Sequence, residues 1–199
     1  MKILLIGGAG TIGKAVHSKL QEKHEVIVAG RNSGDIQFNL EEEASIKNLF
    51  DKAGAVDAVI CIAGEAKWDK FENMKEEDFY KGIRSKLMGQ VNIVRIGKDY
   101  IKKGGTITLT SGVLADEPEY MTTSAAMVNG ALHSFVKAVS LELDDVRVNI
   151  VCADLVEDAY ERYKDYFPGA TPVSMNKVAN AYIRSVESKM RGDIIKVKA

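Results

Sequence analysis

Short apolar runs and longer stretches with helical spacing alternate along the whole chain. Runs at 2–6, 25–29, 56–62, 104–110, 146–152 and 193–198 predict strands, while patterns at 12–22, 43–53, 76–101, 124–143 and 174–189 predict helices. The first run, Ile3-Leu4-Leu5-Ile6, lacks polar alternation and so reads as a strand buried on both faces. Alternation of this kind predicts an α/β fold: a doubly wound parallel sheet with helices on both sides, a three-layer α/β/α single domain over residues 1–199. A short additional strand is predicted from Gln37 to Leu40. Only GRNSGD separates it from the second run, too little chain for a helical crossover, so one helix of the usual order is missing.

Within the long helical stretch from Glu76, the residues Phe79, Ile83, Leu87, Val91, Val94 and Ile101 form one stripe that predicts a core face. Gly82 and Gly89 share a second face with Ile93 and Ile96. Small residues there let a neighbour approach closely, either on the sheet or in a homo-oligomer (dimer or tetramer) contact. Tyr160 to Pro172 is aromatic and loop-like, which predicts a small lid or insertion.

At 199 residues and 46% hydrophobic content the chain suffices for one core and does not require two. A formal charge of −1, with acids and bases intermixed, offers no basic stripe and argues against nucleic acid as a partner. No apolar run is long enough for a span, which argues against a membrane. Three scattered histidines predict no metal site. Cys61 and Cys152 make no disulfide framework and read as small buried residues. With the first strand starting at once and no signal segment ahead of it, a cytoplasmic location is expected.

The chemistry begins where the first strand stops. In GGAGTIG, Gly8, Gly10 and Gly13 satisfy G-x-G-x-x-G, and Gly7, Gly10 and Gly13 satisfy G-x-x-G-x-x-G. Either pattern between a strand and a helix bares backbone N–H groups, here including those of Thr11 and Ile12, to a pyrophosphate at the positive end of the helix. A dinucleotide site is therefore expected. Where NAD-selective relatives of this motif place an acid, the chain reads VIVAGRNSGD. Arg31, Asn32 and Ser33 offer a guanidinium and neutral donors suited to a 2′-phosphate, which predicts NADP(H) in preference to NAD(H). Asp35 is the competing ribose contact.

Together GGAGTIG, the CIAG of residues 61–64, the LTSG of residues 109–112 and the helix ending in AVSLEL make nearly the whole chain resemble the short-chain dehydrogenase/reductase family, with its Rossmann-like sheet. The resemblance implies Ala63 and Gly64 as cofactor neighbours and Ser111 as the substrate-orienting serine. Asn39, followed by Leu40, stands where relatives often have an aspartate near the adenine. Cys61 and Ile62 replace two asparagines. The Y-x-x-x-K of the family aligns with Ala125 and Asn129, so that Asn129 holds the cofactor-side position of the lysine. The asparagine of N-x-x-G aligns with Lys86 in KLMG, as if lysine and asparagine had been exchanged, and Lys86 is expected to reach toward Asn129.

A carbonyl reductase must still supply a proton, and alanine cannot. The substitutes are Lys86 directly, Ser111 relaying from Lys86, or Tyr120 from the EPEYMTTS loop; alternatively Lys86 merely braces two helices. Ser124 reads as a helix N-cap and His133 as a packing histidine. Ala153-Asp154 takes the place of the family's Pro-Gly. Tyr160, Tyr163, Tyr166 and Phe167 either pack a short helix or cover a pocket whose far wall is Trp68 and Phe71. Two functions follow from the resemblance: an NADP(H)-dependent oxidoreductase of a small-molecule carbonyl or alcohol substrate with an altered catalytic site, or a non-catalytic NADP(H)-binding regulatory protein.

Overall fold

Strand β1 (Lys2–Ile6) lies in the interior of the sheet of the computed structural model, which describes residues 1–199. Its four apolar side chains are wholly buried and divide by the period-2 rule: Leu4 and Ile6 enter one core, Ile3 and Leu5 the other. Helix α1 (Thr11–Leu20), β2 (Glu25–Gly30), β3 (Ile36–Gln37), α2 (Glu43–Ala53) and β4 (Val56–Cys61) complete the first half. The second half runs through α3 (Glu76–Gly82), α4 (Gly89–Gly97), β5 (Ile101–Gly112), α5 (Thr123–Val139), β6 (Arg147–Ala153), α6 (Tyr160–Tyr163), α7 (Met175–Glu187) and β7 (Ile194–Val197).

All seven strands are parallel, in the order β3-β2-β1-β4-β5-β6-β7. Helices α2, α4 and α5 cover one face through Ile46, Phe50, Ile93 and Leu132; α1 and α7 cover the other through Val16, Leu20, Val178 and Tyr182. The predicted doubly wound sheet is therefore present. The chain reverses its direction of travel across the sheet between β1 and β4, and a crevice opens there at the C-terminal ends of the strands. Between β2 and β3 there is no helix, as the short GRNSGD spacer requires. No helix is long and apolar enough to cross a membrane.

Three local expectations are corrected. The stretch 76–101 is not one helix: six residues of π-helical backbone, Ile83–Met88, separate α3 from α4, and Ile101 already belongs to β5. The buried face is Gly82, Ser85, Gly89, Gln90, Ile93, Val94 and Gly97, whereas Phe79, Ile83, Leu87 and Val91 stay partly exposed. Small size decides which face goes inward. A Cβ on Gly82 would lie 3.2 Å from the Ser124 side chain, one on Gly89 2.6 Å from Leu40, and one on Gly97 2.5 Å from Phe50. The Gly82/Gly89 face is filled by this chain itself and is not a surface for a second copy. Finally, α5 starts at Thr123 with Thr122 before it, so Ser124 sits inside the first turn, its Oγ buried without a partner, and caps nothing.

Candidate functional site

The turn after β1 is built by closeness. Gly7 has φ +84°, and a Cβ there would stand 2.3 Å from the Ile62 carbonyl oxygen; on Gly13 it would stand 2.0 Å from the Gly7 oxygen, and on Gly8 2.8 Å from Val28. These three glycines let the loop, α1 and β4 touch. Gly10 differs, since its Cβ would meet only the Gly7 oxygen at 3.3 Å. The Gly10 amide donates to Gly7 and the Lys14 amide to Gly10, but no main-chain acceptor takes the amides of Thr11, Ile12 and Gly13. No acidic side chain occupies this first turn. Bare donors at the positive end of a helix form an anion cradle.

Beside the cradle a cavity of about 360 Å³ is lined by Ile6, Gly7, Gly30, Arg31, Phe38, Leu40, Ile62, Ala63, Gly64, Glu65 and Ser85. Arg31 is at its rim, 56% exposed and paired with Glu41 at 3.0 Å. Asn32 and Ser33 are exposed beyond it. Asp35 is turned away, accepting a hydrogen bond from the Val28 amide at 2.8 Å. Asn39 is also occupied elsewhere: its amide group donates to Glu42 at 2.7 Å and its Oδ1 accepts from the Glu41 amide, ahead of α2. Phe38 and Leu40 form the wall instead. The strand expected over Gln37–Leu40 is instead Ile36–Gln37, so Phe38 and Leu40 lie beyond the sheet and are free to line the cavity.

A second cavity, also about 360 Å³, shares Gly64 and Glu65 with the first and holds Ile12, Trp68, Lys86, Ser111, Asn129, Tyr163 and Phe167 in its walls. Gly64, with φ +104°, is why Lys86 faces it: a Cβ would lie 2.6 Å from the Lys86 Cα. Here the helix carries its wide turn, with the Gly89 amide donating to Arg84, an i→i−5 bond. Ser85 accepts from the Glu65 amide at 3.3 Å and ties that turn to the loop after β4. Lys86 makes no ion pair or hydrogen bond within the chain, and burial pulls its ammonium below the ordinary lysine range. The neighbouring Cys61 thiol is pushed up to about 12 by burial and stays neutral. The expected Lys86–Asn129 hydrogen bond is not formed. Both residues line one cavity, and the Asn129 Oδ1 is buried without any partner.

Ser111, the penultimate residue of β5, lies opposite Cys152 of β6. Its Oγ is 2.7 Å from His133 Nε2, both residues being buried. His133 is thus packed and hydrogen-bonded, as its place on the helix predicts, and the partner it meets is the candidate serine. The histidine's signal in the sequence was the four-residue step from Asn129, which puts both on one face of α5. Gln90 holds β5 in place here: its amide donates to the Thr110 carbonyl and accepts from the Thr110 amide, each at 2.8 Å, beyond the point where β4 and β5 cease to pair. Tyr120, 70% exposed, and Phe71, 69% exposed, line neither cavity. Trp68 packs on Tyr163 and Tyr166 with centroids 5.2 and 5.1 Å apart, so the 160–172 segment both packs as a short helix and closes one wall.

The cradle and the unpartnered Asn129 Oδ1 fit a dinucleotide laid across both cavities. A parallel sheet with its loop amides bared at the reversal of strand order defines the class, a Rossmann-type α/β protein. A family model described as enoyl-(acyl carrier protein) reductase matches residues 7–182, and the chain belongs to the short-chain dehydrogenase/reductase family. It is similar to the crystal structure of the protein lin1944 from Listeria innocua, with 38% identity, TM-score 0.97 and 99% of each chain covered. It is also similar to a small-chain dehydrogenase crystallised in complex with NADPH, with 28% identity, TM-score 0.88, and 100% of this chain and 96% of that one covered. Among relatives by sequence, NADPH-dependent reductase BacG of Bacillus subtilis is 22% identical over 94% of this chain and 84% of its own.

Proposed function

We propose that the protein is an NADP(H)-dependent oxidoreductase of a small carbonyl or alcohol, with a proton-transfer site rebuilt around Ser111 and Lys86. The observation that carries this reading is the meeting of the two cavities at Gly64 and Glu65, which sets the cradle and Arg31 on one side and Lys86, Ser111 and Asn129 on the other. The NADPH held by the 28%-identical neighbour supports the same cofactor class. When bound, the nicotinamide supplies or takes up the hydride. The amides of Thr11, Ile12 and Gly13 hold the pyrophosphate. Arg31 would exchange Glu41, an exposed partner of small worth, for a doubly charged 2′-phosphate. Asn129 Oδ1 accepts from a cofactor hydroxyl. Ser111 orients the substrate oxygen and passes it a proton, and the Lys86 ammonium, freed of any internal counter-ion, stabilises negative charge as it develops there. With alanine aligned at the position of the family's tyrosine, this reading assigns proton transfer to Ser111 and Lys86.

Titration with NADPH and NADH by nicotinamide fluorescence tests the cofactor reading. Arg31→Ala is expected to weaken NADPH by about tenfold or more while leaving NADH nearly unchanged, since it removes one charge-assisted phosphate contact. Equal losses for both cofactors defeat the assignment. Absorbance at the nicotinamide band with a panel of aldehydes, ketones and quinones then tests turnover. Ala125 also favours a second reading, a cofactor-binding regulator without catalysis; tight NADPH binding with no turnover across the panel selects it.

A further inference from the structure

We propose that His133 is a positioning and proton-relay residue behind Ser111, linking the second cavity to the outer end of the sheet; this rests on the oxidoreductase reading above. The relay has the right geometry in the right place. Ser111 faces the cavity and its hydroxyl is 2.7 Å from His133 Nε2, while His133 itself is only 7% exposed and lines neither cavity. A buried serine needing only a hydrogen-bond partner could take a backbone carbonyl, as Thr106 and Ser140 do here. A titratable ring is what a packing role does not need.

The charged groups facing the imidazole come from three elements. Asp116, in the turn after β5, favours its protonation; Lys196 of β7 and Lys137 of α5 oppose it. Asp116 and Lys196 are ion-paired at 2.8 Å, which leaves desolvation as the leading influence, and the ring is held below the ordinary histidine range. The Cys152 thiol beside Ser111 is pushed up by burial and carries no charge near neutral pH. His133 is thus neutral near pH 7, and the relay assigns its Nε2 as the acceptor of the Ser111 hydroxyl, with the ring proton on Nδ1.

The relay moves one proton and no electrons. In alcohol oxidation the substrate O–H bond breaks and its proton passes to Ser111 Oγ, while the proton of Ser111 passes to Nε2 to give imidazolium. The two electrons leave separately with the hydride to the oxidised nicotinamide. Imidazolium then gives its proton to solvent, and carbonyl reduction runs the same sequence backwards. Reduction should therefore quicken as pH falls toward the His133 pKa, and oxidation should quicken as pH rises above it.

Two measurements test this. In the cofactor-free protein, ¹⁵N spectra of the histidine rings should show His133 with Nε2 unprotonated at neutral pH, and Ser111→Ala should shift that nitrogen. A protonated Nε2 at neutral pH overturns the relay. In NADPH-dependent reduction of the carbonyl panel, His133→Gln retains a hydrogen bond to Ser111 but cannot carry a proton. It should hold NADPH affinity and melting temperature close to the unaltered protein, lower kcat by at least about tenfold, and flatten the pH profile. Full turnover by His133→Gln with an unchanged profile overturns the relay alone. Failure of the unaltered protein to reduce any carbonyl while binding NADPH overturns the functional reading and the relay with it.

Discussion

Lys86 is the residue whose setting is hardest to explain by folding alone. A half-buried ammonium without a carboxylate or carbonyl partner lowers stability, because it has lost part of the water that solvated it in the unfolded chain. Its depressed pKa sets the sign of the pH effect. Between that lowered value and the ordinary lysine value the unfolded chain binds more protons than the folded one, so folding stability rises with pH across this window. Lys86→Met keeps the bulk and removes the charge. It is expected to stabilise the protein at pH 7 by about 1 kcal/mol or more, with the gain shrinking toward pH 10, as read from urea unfolding at both pH values. Destabilisation at pH 7 would show that the ammonium is compensated in the fold after all. The resemblance pointed to Lys86 by alignment, but only the contact of Gly64 with its Cα shows how the side chain is aimed. The four-residue step from Asn129 places His133 on the same face of α5, but spacing does not say whether it meets a leucine or a serine there.

At the scale of elements, the stretch 76–101 departs from the expected single helix for a physical reason. Apolar bulk favours the stripe from Phe79 to Ile101 as the core face, yet of that stripe only Val94 is fully buried. Glycines at 82, 89 and 97 invert that choice, because only their side of the helix admits Leu40, Phe50 and the start of α5 at contact distance. The π-helical turns at 83–88 then rotate the downstream residues, a shift no 3.6-residue count includes. Gln90 emerges from the same rotation as a strut between the helix and β5. With the Thr110 amide and carbonyl both satisfied by one side chain, Gln90→Leu should cost about 2–4 kcal/mol, the penalty for two buried backbone groups left unpaired. Thermal unfolding measures this. A melting temperature unchanged by the substitution would mean that the strand end re-pairs without help.

For the molecule as a whole, layer order, parallel pairing and the absent helix after β2 were all legible. They depend on run length and on how far a short spacer can reach, and both are written in the chain. Which residues line the crevice was legible only where the backbone itself is the ligand, as in the glycine turn; side chains such as Asn39 and Asp35 were drawn off by local partners that spacing does not reveal. If the two cavities take one dinucleotide, binding should couple to global stability. NADPH at about a hundred times its Kd should add roughly 2.7 kcal/mol, or about 5–10 °C in Tm for a domain of this size. A Tm unmoved by millimolar NADPH removes the cofactor from the account. The two-residue β3 carries a further implication for life at high concentration. A border strand this brief offers a stray strand from another molecule only two residues to zip onto, and beside it Asp35 already occupies the Val28 amide, so the margin next to the nucleotide crevice is guarded against runaway association.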